Sequence, residues 1–345
     1  MLFPTLQVIL LSVLLASKWR RNANRTRLPA TTYRSSNVCF VDSGSFPNFA
    51  SDIASRLSIP LLSAEEIEST ADSMNNCTHY LSIVPYEIGL LKDFALGISA
   101  KKKDDNSSFR HKKKHKVYQS GLHVVDFFPP LSSILGKRGA GDSGPDLLLR
   151  AVAPRRGFKD GAIIFDLTAG FGQDALLMAK AGANKVVMVE RDPILAMLLY
   201  DALRRLELIA RLSNDPTQQK TATSLSETLC IIQGDGRQVI EDLTKSFGRP
   251  DIIYLDPMFP VRTKKALVKQ NMQILHGLLQ SQVAIADQGK DDDEAALLFD
   301  AAYRYALSRV VVKRPVNAPP LCPVEVKKPS FDIRGSVNRW DVYSQ

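Results

Sequence analysis

"AIIFDLTAGFGQDALLMAKAGANKVVMVERDP", residues 162–193, carries the pattern that decides the fold. An apolar run from Ala162 to Phe165 stops at Asp166 and enters a turn containing Gly170 and Gly172. "DALLMAKAG" then reads as a helix, with Gly182 placed as its C-terminal stop. "KVVMVE" is a second apolar run, ending in Glu190. Asp192 as N-cap and Pro193 at the first helical position open the next helix, "DPILAMLLYDALRRLELIARL". The runs are continuously apolar instead of alternating, as expected of strands buried on both faces. Further runs of this kind are "LCIIQGD" (229–235), "DIIYLD" (251–256) and "RVVVKRP" (309–315). Strands that alternate with helices predict an α/β fold with a doubly wound, mostly parallel sheet.

In such a sheet, ligands bind outside the carboxyl ends of the strands. At the first end, Gly170 and Gly172 let the backbone approach a ligand closely, or simply make a tight turn. The loop lacks the third glycine of the dinucleotide fingerprint, although the variant ending in Ala175 does match. At the second end, Glu190 is spaced to accept hydrogen bonds from ribose hydroxyls, and Arg191 beside it could flank an adenine. At the third, Asp235 before Gly236 is either an acceptor for an adenine amine or part of an Asp-Gly turn.

The fourth end is "DPMFP", residues 256–260. An acid, a proline, a bulky residue and Phe259 resemble the Asp/Asn-Pro-Pro-Tyr/Phe motif of methyltransferases that act on exocyclic amines. The lone pair of a base amine is delocalised into the ring. An acceptor such as Asp256 can hold the N–H groups and keep the lone pair aimed at a methyl donor, so positioning is most of the catalysis. Phe259 offers a face on which the target base can stack. Arg262, Lys264, Lys265 and Lys269 follow, and residues 265 and 269 share one helix face. They suit phosphates of RNA, or a solvated face.

Upstream, "SNVCFVDSG" (36–44) reads as a strand, and "NFASDIASRLSIPLLSAEEIES" as a helix, a turn and a second helix start. "THYLSIVPYEIGLLKD" (78–93) and "GLHVVDFF" (121–128) read as one strand each. Residues 37–128 thus make a small N-terminal α/β subdomain, interrupted by the lysine-rich run 101–116. That run is either an RNA-contacting arm or a solvated insertion. Residues 129–345 make the second domain; its Gly-rich loop carries Lys137 and Arg138, and a helix begins near Asp146. "SFDIRGSVNRWDVYSQ" closes the chain as a hairpin around Gly335 and Ser336.

Residues 1–36 open with an apolar stretch, Leu2 to Ala16, too short for a membrane span of about 20 residues. A basic, acid-free segment follows. The two parts together predict a leader to a plastid or mitochondrion, with a retained membrane anchor through residues 2–16 as the alternative. The net charge of +9 fits a polyanionic partner, and a few basic loops suffice to supply it. The four cysteines are scattered without a C-x-x-C pair, which argues against a zinc site or a disulfide framework, and no metal is expected.

"DLTAGFGQDA", "VERDP", "YLDPMFP", "KKALVKQNM", "RVVVKRP", "APPL" and "FDI", in this order, resemble the bacterial small-subunit rRNA guanine-N2-methyltransferase family RsmJ, from about Val124 to Ile333. The resemblance implies a Rossmann-like class I methyltransferase fold, S-adenosylmethionine as cofactor, and N2-methylguanosine in small-subunit (16S-like) rRNA as product. By motif position it puts cofactor contacts on Gln173, Asp174, Glu190, Arg191, Asp235, Gly236 and Asp256, with Asp166, Gly170 and Gly172 supporting the loop. Gln173 stands where relatives tend to have Arg, and Asp235-Gly236 where they tend to have a Ser pair. Asp256 and Phe259 would be catalytic. Lys313 and Arg314 at the fifth strand end would lie near the substrate and the RNA backbone, together with Lys137, Arg138, Lys264, Lys265 and Lys269. The partner would be small-subunit rRNA or the small ribosomal subunit, with membrane contact only through a retained leader. Alternatives are an amino-methyltransferase acting on DNA or a protein amide, a non-catalytic RNA-binding assembly factor and, more distantly, a nicotinamide oxidoreductase.

Overall fold

A computed structural model describes residues 38–42, 47–57, 59–63, 79–88, 91–100, 122–128, 144–153, 157–257, 274, 290–321 and 327–345. Residues 1–36, the lysine-rich run 101–116, Lys137, Arg138, Phe259, Lys264, Lys265 and Lys269 lie outside them.

Seven strands form the larger sheet: β6 (Ile163–Asp166), β7 (Lys185–Glu190), β8 (Leu229–Gln233), β9 (Ile252–Leu255), β10 (Arg309–Pro315), β11 (Phe331–Arg334) and β12 (Asn338–Ser344). Their order is β11-β12-β10-β9-β6-β7-β8. Strands β8, β7, β6, β9 and β10 are parallel to one another, as expected. The closing hairpin forms where expected, with Gly335 N–H donating to the Asn338 carbonyl. Its second strand, β12, inserts antiparallel between β10 and β11, a placement that no local pattern announces.

The apolar runs are buried on both faces, and alternation sorts their residues. Ile164, Val186, Met188, Ile252, Tyr254 and Val311 join one core. Phe165, Val187, Val189, Ile253, Leu255, Val310 and Val312 join the other. The first face is covered by α2 (Gly144–Val152), α3 (Gln173–Lys180), α4 (Pro193–Leu212) and α5 (Pro216–Thr228). The second is covered by α6 (Gly236–Phe247) and α7 (Lys290–Tyr305). The Asp-Pro start of α4 is as read: Asp192 accepts from the backbone N–H groups of Ile194 and Leu195 at 2.8 and 2.9 Å. Asp215 and Pro216 open α5 by the same device, which the sequence reading passed over.

The N-terminal sheet has the order β2-β1-β3-β4-β5, built from β1 (Val38–Asp42), β2 (Leu61–Ser63), β3 (His79–Ile88), β4 (Leu91–Ala100) and β5 (His123–Val124), with α1 (Pro47–Leu57) packed on it. Two expectations are corrected here. Residues 78–93 are not one strand: β3 turns straight back into β4, pairing Ile88 with Leu91. The 121–128 strand shrinks to two residues, after which Val125 and Phe127 enter the core. Cys39 is disulfide-bonded to a partner outside the described residues.

The two sheets share one continuous apolar core, reaching from Val38 and Leu96 through Phe127 to Leu195 and Leu199. A buried polar clasp fixes them. Asp201 on α4 accepts from the Leu96 backbone N–H at 2.9 Å and from Arg205 at 2.9 Å, while Arg204 pairs with Asp93 of β4. Arg205, 1% exposed, also donates to the Val125 carbonyl and lies over the Tyr86 ring at 4.4 Å.

Candidate active site

The carboxyl ends of β6, β7, β8, β9 and β10 bring together the acids that the strand-end rule selected. Register explains the centre. Leu255 of β9 pairs with Val312 of β10, so Asp256 and Lys313 come next, side by side. By alternation Asp256 shares the face of Tyr254, and Lys313 that of Val311, both turned towards α3. There Lys313 Nζ donates to Asp256 Oδ2 at 2.7 Å and to Asp174 Oδ2 at 3.0 Å, and the Tyr254 hydroxyl donates to Asp174 Oδ2 at 2.7 Å. The Asp256 backbone N–H donates to Thr168 Oγ1 at 2.6 Å, tying the glycine loop to the end of β9.

The glycine loop is held by Glu190. Its carboxylate accepts from the backbone N–H of Gly170 at 2.7 Å and of Asp192 at 2.8 Å. Gly170 and Gly172 have φ of 54° and 70°, which disfavour any residue with a Cβ. A Cβ on Gly170 would meet nothing within 4 Å, so the loop faces open space there; one on Gly172 would lie 2.8 Å from Leu199 Cδ2 and 3.0 Å from Phe127 Cε1.

Burial sets the protonation of this face. It raises the pKa of Glu190 from 4.5 to about 7, with Asp192 adding to the rise and the two backbone N–H groups opposing it. Burial also raises Asp166, which accepts from the Thr168 N–H at 3.1 Å and faces Asp174, Asp256 and Glu190. For Asp256, enclosure by protein is again the largest cause and the net direction is upward; Lys313 opposes it and Asp174 reinforces it. Burial works against charge on Lys313, but Asp256 and Asp174 outweigh it and lift the ammonium above its usual pKa. Burial would raise Asp235, but Arg237, 2.6 Å away, holds it below its usual value.

The other expected residues divide. Gln173 is exposed at the start of α3. Arg191 is exposed and pairs with Glu294 of α7 at 3.2 Å. Gly236 is buried, its Cα packed where an added Cβ would sit 3.1 Å from both Leu167 and Leu298. Arg314 is corrected: it is 4% exposed, and its Nε donates to the Pro319 carbonyl at 3.0 Å, so it braces the segment after β10 instead of reaching an RNA backbone. Tyr254 and Thr168 were missed. The signal for Tyr254 was present, since a hydroxyl inside an apolar run two residues before Asp256 must share its face.

A family model described as "Putative SAM-dependent methyltransferase" matches residues 101–345. Proteins named ribosomal RNA small subunit methyltransferase J are similar along much of the chain. That of Pseudoalteromonas translucida is 34% identical over 275 residues, 79% of this chain and 95% of its own. That of Aeromonas salmonicida is 39% identical over 225 residues, 65% of this chain and 78% of its own. This chain belongs to that methyltransferase family. A solved SAM-dependent methyltransferase from Neisseria gonorrhoeae has the same fold, with a TM-score of 0.53 at 23% identity, covering 89% of this chain and 96% of the other. The Rossmann-like fold and the dependence on S-adenosylmethionine are those of the family. The organellar address is corrected, because these family members are bacterial. Among the described residues, which leave out residues 2–16, no helix is long and apolar enough to cross a membrane.

The site fits the family's cofactor. S-adenosylmethionine carries an ammonium and a sulfonium, and this face gathers Asp166, Asp174, Glu190, Asp235 and Asp256 beside the open glycine loop at Gly170. Asp174 and Asp235 would meet its polar groups, and Glu190 a ribose hydroxyl.

Proposed function

We propose that the protein transfers a methyl group from S-adenosylmethionine to the exocyclic N2 of a guanine in small-subunit rRNA. The observation that carries this reading is Asp256, fixed at the end of β9 by Thr168 and Lys313 and followed in sequence by Pro257, Met258, Phe259 and Pro260. The cofactor supplies an electrophilic methyl on a sulfonium sulfur. Asp256 accepts an N2–H hydrogen bond and so turns the amine's lone pair toward that methyl; as the N–C bond forms, the sulfonium's S–C bond would break to leave a neutral thioether, and the carboxylate is at hand for the departing proton. Phe259 packs against the base. Lys137, Arg138, Lys264, Lys265 and Lys269 meet RNA phosphates. The 37–128 unit is proposed as a small subdomain that packs on the 129–345 methyltransferase domain through the shared core.

The family relationship supports rRNA as substrate, and the acid-Pro-x-Phe strand end supports an amine as acceptor. The test is transfer of labelled methyl to purified small subunits and to their free rRNA, followed by nucleoside analysis. Label recovered as N2-methylguanosine is the expected result. Label in another nucleoside, or in neither substrate, overturns the reading.

A further inference from the structure

Asp256 stands in an unusual crowd. Asp174 faces it from α3, Asp166 from β6 and, behind Asp166, Glu190 from β7, while the neutral Tyr254 hydroxyl on its own strand donates to Asp174. Carboxylates gathered in this way resist ionising together, and enclosure by protein adds to the resistance. A protonated Asp256 would present a hydroxyl to the substrate and lose an acceptor site for an N–H group. One cation bridges the crowd: Lys313 Nζ, 2.7 Å from Asp256 Oδ2 and 3.0 Å from Asp174 Oδ2, with 21% of its side chain exposed. An ammonium has three donors, so the two bonds are compatible with each other. An ionised carboxylate has lone pairs enough to keep Lys313 and accept an amine as well.

Resting on the amine-methylation reading, we infer that Lys313 is a positioning residue for methyl transfer, keeping Asp256 ionised and aimed within a cluster of acids so that it can accept the substrate's N–H. This differs from a contact with the RNA backbone, the role that its place at a strand end suggested. Bridging Asp174 as well, Lys313 couples the start of the cofactor-loop helix to the residue that orients the amine.

The test compares wild type, Lys313→Met and Lys313→Arg, with each variant's fold checked by circular dichroism and thermal melting. The acid limb of methyl transfer against pH is expected to move up in Lys313→Met by about 1–3 pH units, the span that a neighbouring opposite charge commands, with activity recovering at high pH. Lys313→Arg keeps the wild-type limb. An unmoved limb in Lys313→Met, whatever the loss of rate, overturns the inference and leaves the methylation reading standing. The carboxyl titration of Asp256, followed by carbon-13 NMR with Asp256→Asn as the assignment control, needs no substrate. Should wild type methylate no rRNA, that titration decides alone: a midpoint raised in Lys313→Met supports the inference, and an unmoved midpoint overturns it.

Discussion

Two carboxylates dominate the site at the scale of single residues, in opposite settings. Asp256 is about a third exposed and held from outside by Thr168 and Lys313. Asp256→Ala removes an acceptor and no core atom, so methyl transfer should fall by at least about a hundredfold while the melting temperature stays near wild type. Label transfer read beside a thermal melt checks both halves. Glu190 is 6% exposed and holds the glycine loop by two backbone N–H groups. Its folded pKa, about 7 against 4.5, means that the folded chain binds this proton more tightly than the unfolded chain does. Its contribution to stability therefore falls as pH rises through that window and is level above it. Glu190→Gln should flatten the decline, as read from melting temperatures between about pH 5 and pH 8. Both acids were legible in the sequence because each ends an apolar run. Their partners were not. Asp174 and Lys313 are 139 residues apart in the chain and meet only through sheet register.

At the scale of elements, the loop from β6 to α3 shows how one motif carries two constraints. Gly170 and Gly172 both have positive φ, but only Gly172 is crowded, by Leu199 and Phe127. Gly170→Ala should cost about 1–2 kcal/mol through backbone strain alone. Gly172→Ala should cost more, because it adds overpacking of about 1–3 kcal/mol against α4 and the 122–128 segment. Chemical denaturation orders the two variants. The reverse order, or equal losses, contradicts this packing. The paired glycines were visible in the sequence; which of the two is needed for packing was not, since Phe127 arrives from the segment after β5. The same limit applies to β12. Its residues read as half of a hairpin, yet its insertion between β10 and β11 depends on what β10 leaves open.

At the scale of the whole molecule, the N-terminal sheet is fastened to the methyltransferase sheet by a shared core and by Asp201, Arg204 and Arg205 of α4. Segment 122–128 then lies directly on the glycine loop, with His123 edge-on to Phe171 at a centroid distance of 4.5 Å. Arg205→Ala leaves Asp201 without one of its partners and opens space beside Tyr86, so it should destabilise the chain by about 3–5 kcal/mol. The loss should appear in one cooperative transition involving both sheets, because one apolar core spans them. Denaturation followed both by tryptophan fluorescence and by far-ultraviolet circular dichroism checks this; two separated transitions contradict it.

The sequence by itself determined the alternation of strands and helices, the parallel sheet and the acids at Asp166, Glu190, Asp235 and Asp256. Burial on both faces demands unbroken apolar runs, and a polar residue that ends such a run marks the strand's carboxyl end. Only the tertiary structure decided the partners of those acids. Lys313, expected near the substrate and the RNA backbone, bridges Asp174 and Asp256, and Arg314 turns inward to Pro319. Adjacent residues of a strand point to opposite faces, and which face holds an acid depends on helices far away in the chain.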